Sequence, residues 1–153
     1  MKNRSSGFWQ ALEAVSGGAA VDADWKACLG IDHEAGKFFL RPDGKLSLSH
    51  PCTVPRGCGC EHDVIMHDSE DIVAVCRCGL GCETFRLQRS DIVIYELDRS
   101  ALDAAVASAF VLFEEADPHT DLPGTTRVGT YSPYAGYRFP VFLTIQIEPS
   151  DFS

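Results

Sequence analysis

Six of the seven cysteines fall between residues 52 and 82, as Cys52, Cys58, Cys60 and then Cys76, Cys78, Cys82. Between the two triplets lie Val64 to Met66 and Ile72 to Val75, flanking a polar tip of His67, Asp68, Ser69, Glu70 and Asp71. That pattern is an antiparallel hairpin with thiols at its open end. Two thiol groups held across a short hairpin supply the ligand pairs a tetrahedral metal ion needs. The constraint on the fold is severe, because the chain must return on itself between residues 60 and 76.

Six thiols compete for four positions. Two cysteines at C-x-C spacing lie on one face of an extended backbone but about 6.6 Å apart, so both reach one ion only across a tight turn. Gly59 permits such a turn between Cys58 and Cys60, whereas Arg77 does not favour one between Cys76 and Cys78. Cys76 closes a strand, and Cys82 opens the next after Gly79-Leu80-Gly81. Cys52 ends the strand before the cluster, and Cys60 leads into the hairpin. The expected metal ligands are therefore Cys52, Cys60, Cys76 and Cys82, with Cys58 and Cys78 as alternates. His50 and His62 flank the first triplet, and either can replace a cysteine in a Cys3His site. His33, His67 and His119 read as exposed loop residues. Four cysteines also suit iron or an iron–sulfur cluster, but no C-x2-C-x2-C run is present, so zinc is the expected cofactor.

The balance of 13 basic and 22 acidic residues gives a net charge of −9. A zinc ion held by four thiolates adds about −2. Such a segment is poorly suited to tracking a nucleic-acid backbone, and Arg86, Arg89 and Arg99 are interleaved with Asp91, Glu96 and Asp98. The first residues lack a continuous apolar stretch, because Gln10, Glu13 and Ser16 interrupt it. No membrane span is expected, and an odd number of clustered cysteines fits a reducing cytoplasm. Cys28 stands apart and reads as a small buried apolar residue.

Around the cluster, Phe8, Leu12 and Val15 predict a first helix stopped by Gly17-Gly18, and Asp24 reads as the cap of a second running to Leu29. Pro42-Asp43-Gly44 reads as a hairpin turn between Phe38 to Leu40 and Leu46 with Leu48. Phe85 and Leu87 alternate with polar neighbours in a strand over 84–88, while residues 91–97 suit either a strand or a short helix. Ser100 and Asp103 resemble a capping box opening an amphipathic helix, with Leu102, Val106, Phe110 and Phe113 on one face. An acidic loop over 114–124 leads to a last hairpin. There Arg127 to Tyr131 faces a strand in which Phe139, Val141, Leu143, Ile145 and Ile147 alternate with other residues. Pro140 belongs near an edge, since it cannot donate to the ladder. Tyr131, Tyr134, Tyr137 and Phe142 divide between core and interface, with core packing expected for at least two. Ser150 or Asp151 would cap a further helix, suggesting a longer parent protein cut at a domain boundary.

From Pro51 to Asp98 the sequence resembles a zinc-ribbon segment of uncharacterised bacterial proteins. In that segment a cysteine pair precedes a valine-rich hairpin, and a second pair precedes a C-E-T/P-x-x-L-x-x-x-D-L/I-V-x-Y-E-L run. Here the run is Cys82-Glu83-Thr84 through Leu97. The resemblance implies Cys52, Cys60, Cys76 and Cys82 as ligands, and in some such proteins a C-terminal helix-turn-helix or other domain follows. It carries no activity. The expected fold class is α+β: zinc-ribbon β-hairpins, then an amphipathic helix and a C-terminal antiparallel hairpin. Residues 1–49, 50–98 and 99–153 are its three parts, packed as one unit. The expected function is a non-catalytic zinc module of a regulator or interaction protein. Its expected partner is a protein, with nucleic acid reached through a C-terminal region beyond this chain. The alternative is a thiol-based redox protein using Cys58 and Cys78.

Overall fold

The spacing of Phe8, Leu12 and Val15 is realised as α1 (Gly7–Ala14), which buries Ala11 and Leu12. The computed structural model describes residues 7–113 and 122–145, with the side chain of Ser16 left aside. His119, most of the acidic loop, Ile147 and the closing cap residues lie outside the described residues. A strand β1 (Ala19–Val21) leads into α2 (Asp22–Leu29), which starts two residues before Asp24. Asp24 is therefore a first-turn carboxylate beside the positive helix end, not a cap. The buried stripe of α2 is Trp25 and Leu29. Cys28 falls off that stripe and is exposed, which overturns its reading as a core residue. His33, in α3 (His33–Gly36), is buried rather than exposed, with Nε2 2.9 Å from Asp22 Oδ1.

Pro42-Asp43-Gly44 does not close a hairpin. It lies inside one strand, β2 (Leu40–Leu46), which pairs antiparallel with β7 (Val93–Leu97) from Leu40↔Leu97 to Pro42↔Tyr95 and again at Leu46↔Val93. The turn chemistry is spent on a bulge: Gly44 takes φ +85°, and Asp43 Oδ1 accepts the Lys45 N–H at 2.7 Å. Long-range pairing with β7 has outweighed local closure. β1 occupies the other edge of β7, giving a sheet of order β1-β7-β2. Residues 89–97 satisfy both readings in turn, with a 3-10 turn at Arg89–Ile92 followed by β7.

The second sheet is β3 (Ser49–Pro51), β4 (Glu61–Met66), β5 (Ile72–Cys76) and β6 (Phe85–Leu87), all antiparallel and in that order. Its hairpin and third strand form as the alternation predicts. Ile72, Ala74 and Leu87 turn to one face and, with Ile92, make a small core.

Helix α4 (Arg99–Ala109) is capped by Asp98, whose Oδ1 accepts the Ala101 N–H at 3.0 Å, so Ser100 is not the cap. The helix buries Leu102 and Ala107 and ends before Phe110 and Phe113, which are 66 and 65 % exposed and do not continue its apolar face. Strands β8 (Thr125–Tyr131) and β9 (Phe139–Thr144) form the final hairpin, and Pro140 sits on an edge as expected. Arg99 Nη2 ties α4 to that hairpin by donating to Gly124 O, Thr126 Oγ1 and Leu143 O at 2.9–3.1 Å. Ile145 enters the main core with Leu12, Trp25, Leu29 and Leu102. Tyr131, Tyr134, Tyr137 and Phe142 are all exposed, so none takes the core role expected of two of them. The architecture is α+β. No helix among the described residues is long and apolar enough to cross a membrane.

Candidate metal centre

The alternation of the second sheet carries its apolar face directly into the cysteine cluster. His50 pairs with His62, and His62 pairs with Cys76, so the three side chains share the face that buries Ile72 and Ala74. His62 is fully buried, 5.3 Å from the Phe85 ring centre, with Nε2 3.4 Å from Cys58 Sγ. Its Nδ1 is buried with no hydrogen-bond partner among the described residues. His50 is also buried, but its Nδ1 donates to Pro51 O at 2.8 Å.

Beyond Pro51 the ladder is prolonged by one bond, from Cys52 N to Cys60 O at 3.1 Å. The chain between those cysteines folds into a knuckle. Gly57 N donates to Val54 O at 2.8 Å, and Arg56 and Gly59 take φ values of +58° and +67°. This reversal brings Cys58 back beside Cys52. Gly57 is required there, because a Cβ would strike Cys52 Sγ and lie 2.8 Å from Val54 O. On the other side, Gly79 and Gly81 adopt positive φ and return Cys82 to the first knuckle, where Cys58 N donates to Cys82 Sγ at 3.0 Å.

The result is a group of four donors, Cys52, Cys58, His62 and Cys82, whose ligand atoms all lie within 4.8 Å of one another. Cys58, Cys76 and Cys78 form a second such group. Of the sequence-predicted ligands, Cys52 and Cys82 are together in the first group and Cys76 is in the second. Cys60 is in neither, and its thiol points to Cys58 O at 3.6 Å. The alternate Cys58 belongs to both groups and Cys78 to the second. His62, weighed only as a substitute for a cysteine, lies in the first.

The thiols bias one another. Desolvation opposes ionisation of Cys52, but backbone hydrogen bonds from Val54, Cys58 and Gly59 and the Cys58 thiol hold it below the ordinary thiol range. The Cys78 thiol and then its backbone N–H do the same for Cys76. The Cys60 N–H favours the Cys58 thiolate, yet desolvation and the thiols of Cys82, Cys78 and Cys76 push Cys58 up. Cys76 leads in raising Cys78. A divalent cation bound by such thiols would displace their protons. Three thiols and one imidazole converging on a point are a suitable donor set for a tetrahedral ion. Comparison with protein-family models, curated proteins and solved structures finds no match to this chain.

Proposed function

We propose that the protein is a non-catalytic zinc-binding module in which a ribbon of hairpins is stapled by metal and presents a fixed surface to a protein partner. The observation that carries this reading is the convergence of Cys52, Cys58, His62 and Cys82 from both ends of the β4–β5 hairpin. A Zn–S bond of about 2.3 Å places tetrahedral sulfurs about 3.8 Å apart. The spacing of Cys58 from His62 Nε2, 3.4 Å, is close to such an edge. The donors take up all four positions of a closed site, leaving none for a reacting water, and this supports a structural ion over a hydrolytic one. The charge of −9 favours a protein partner over nucleic acid. A bacterial regulator of zinc-ribbon type, working in the cytoplasm, fits the resemblance of residues 51–98.

Elemental analysis of the full chain, purified without added metal, tests the reading. At least one zinc per chain should survive dialysis, and Cys82→Ser should lower that content. A folded protein free of metal, with Cys58 and Cys78 cycling between dithiol and disulfide, would establish the redox alternative instead. The knuckle offers a second check. Gly57→Ala pushes a methyl into Cys52 Sγ and Val54 O, and overpacking of this kind costs about 1–3 kcal/mol. Zinc affinity measured against a chromophoric chelator should fall correspondingly, and an unchanged affinity would show that the knuckle is not part of the site.

A further inference from the structure

One tetrahedral ion leaves three of the clustered sulfurs unused, and those three are not scattered. Cys76 Sγ lies 3.7 Å from Cys58 Sγ and 3.0 Å from Cys78 Sγ. The first distance matches the sulfur–sulfur edge of about 3.8 Å expected around a shared zinc. The second is too long for a disulfide bond of about 2.05 Å, so Cys76 and Cys78 are two separate thiols in contact. The two groups of mutually close donors have one atom in common, Cys58 Sγ.

We propose that the cluster is a two-metal centre in which the Cys58 thiolate bridges two divalent cations, one held by Cys52, His62 and Cys82 and the other by Cys76 and Cys78. This rests on the zinc-module reading and extends it by a second ion. Cys60 supplies the remaining ligand of the second ion. Its thiol sits against Cys58 O at 3.6 Å, outside the close group of Cys58, Cys76 and Cys78, and turns toward that group to bind. Every clustered cysteine then has a role, and none is spare.

Charge supports the count. Six thiolates and a neutral imidazole around two dications carry a net −2, the value of an ordinary four-thiolate zinc site. A thiolate carries more than one lone pair, so Cys58 can bind both ions without giving up either. Its position between the groups, at the tip of the first knuckle, is what a bridge requires. The turn at Gly59 and the paired glycines 79 and 81 set the two triplets face to face over it.

The test uses the full chain, first loaded with zinc and then with cobalt(II). Elemental analysis should give two zinc ions per chain. In the cobalt titration, the paramagnetic resonance signal should grow with the first equivalent. It should then fall per cobalt as the second enters, because a bridging sulfur couples the two spins antiparallel. Cys78→Ser should reduce the stoichiometry from two to one and restore the full signal per cobalt. One ion per wild-type chain would overturn the second site while leaving the zinc-module reading intact, and no bound ion would overturn both. Two ions with uncoupled spins would overturn the bridge. Iron together with acid-labile sulfide would replace the proposal by an iron–sulfur cluster. The wild-type measurements stand even where the variant fails to fold.

Discussion

Stripping the metal with a chelator is expected to abolish hydrogen-exchange protection in β4 and β5 while the Trp25 indole N–H keeps its bond to Tyr95 O. The two halves of the molecule differ in what holds them. Around Trp25, one core gathers Leu12, Leu29, Leu102 and Ile145 from elements distant in sequence. Among the described residues the second sheet has a smaller apolar core, Ile72, Ala74 and Leu87 with Ile92, and its outer strands β3 and β6 have three residues each. Such a core is too small to offset the ordering of four strands and two knuckles. Structural zinc supplies on the order of 10 kcal/mol in modules of this kind, which is comparable to the whole stability of a typical domain. Amides of residues 61–66 and 72–76 should therefore exchange at near-unfolded rates in the metal-free protein. Equal protection of these amides with and without metal would show that the sheet stands on its own packing.

The sequence was legible where chemistry repeats at a fixed period and opaque where loops decide. Folding the β4–β5 hairpin about its polar tip pairs Met66 with Ile72, and counting outward sets His62 opposite Cys76. That register is implicit in the alternation, so the proximity of His62 to the thiols was there to be read. Cysteine spacing alone names His62 only as a substitute for one of four cysteines. The position of Cys58 was not readable in the same way. It depends on a left-handed Arg56 and a turn closed by Gly57 onto Val54, neither of which has a distinctive residue pattern. Cys52 ends one strand and Cys60 leads into the next, and a backbone bond joins them. The knuckle nevertheless brings Cys58 into the group with Cys52. The Pro-Asp-Gly segment failed for a related reason, since its turn chemistry serves a bulge once β7 offers a full ladder. Helix α4 was found, but its end was not, because Phe110 and Phe113 continue the apolar spacing beyond the last helical turn.

Trp25→Ala is expected to lower the stability of the metal-loaded protein by about 3–5 kcal/mol, the range for removing a buried tryptophan. Trp25 is fully buried, and its Nε1 donates to Tyr95 O at 3.0 Å. Tyr95 lies in the middle of β7, the strand that pairs with both β1 and β2. The indole therefore joins α2 to the central strand of the first sheet through packing and a hydrogen bond together. Trp25→Phe separates the two contributions. It retains a ring in the core but leaves Tyr95 O without this donor, for a loss of about 1–3 kcal/mol. Urea denaturation of the zinc-loaded chain should rank wild type above Trp25→Phe and Trp25→Ala below both. If alanine at this position moved the midpoint no further than phenylalanine, the cavity would be collapsing without cost, and α2 would not be anchored to β7 by this side chain. Because Ile92 leads directly into β7 and belongs to the core of the second sheet, loosening β7 also weakens the support on which the cysteine-bearing hairpin rests.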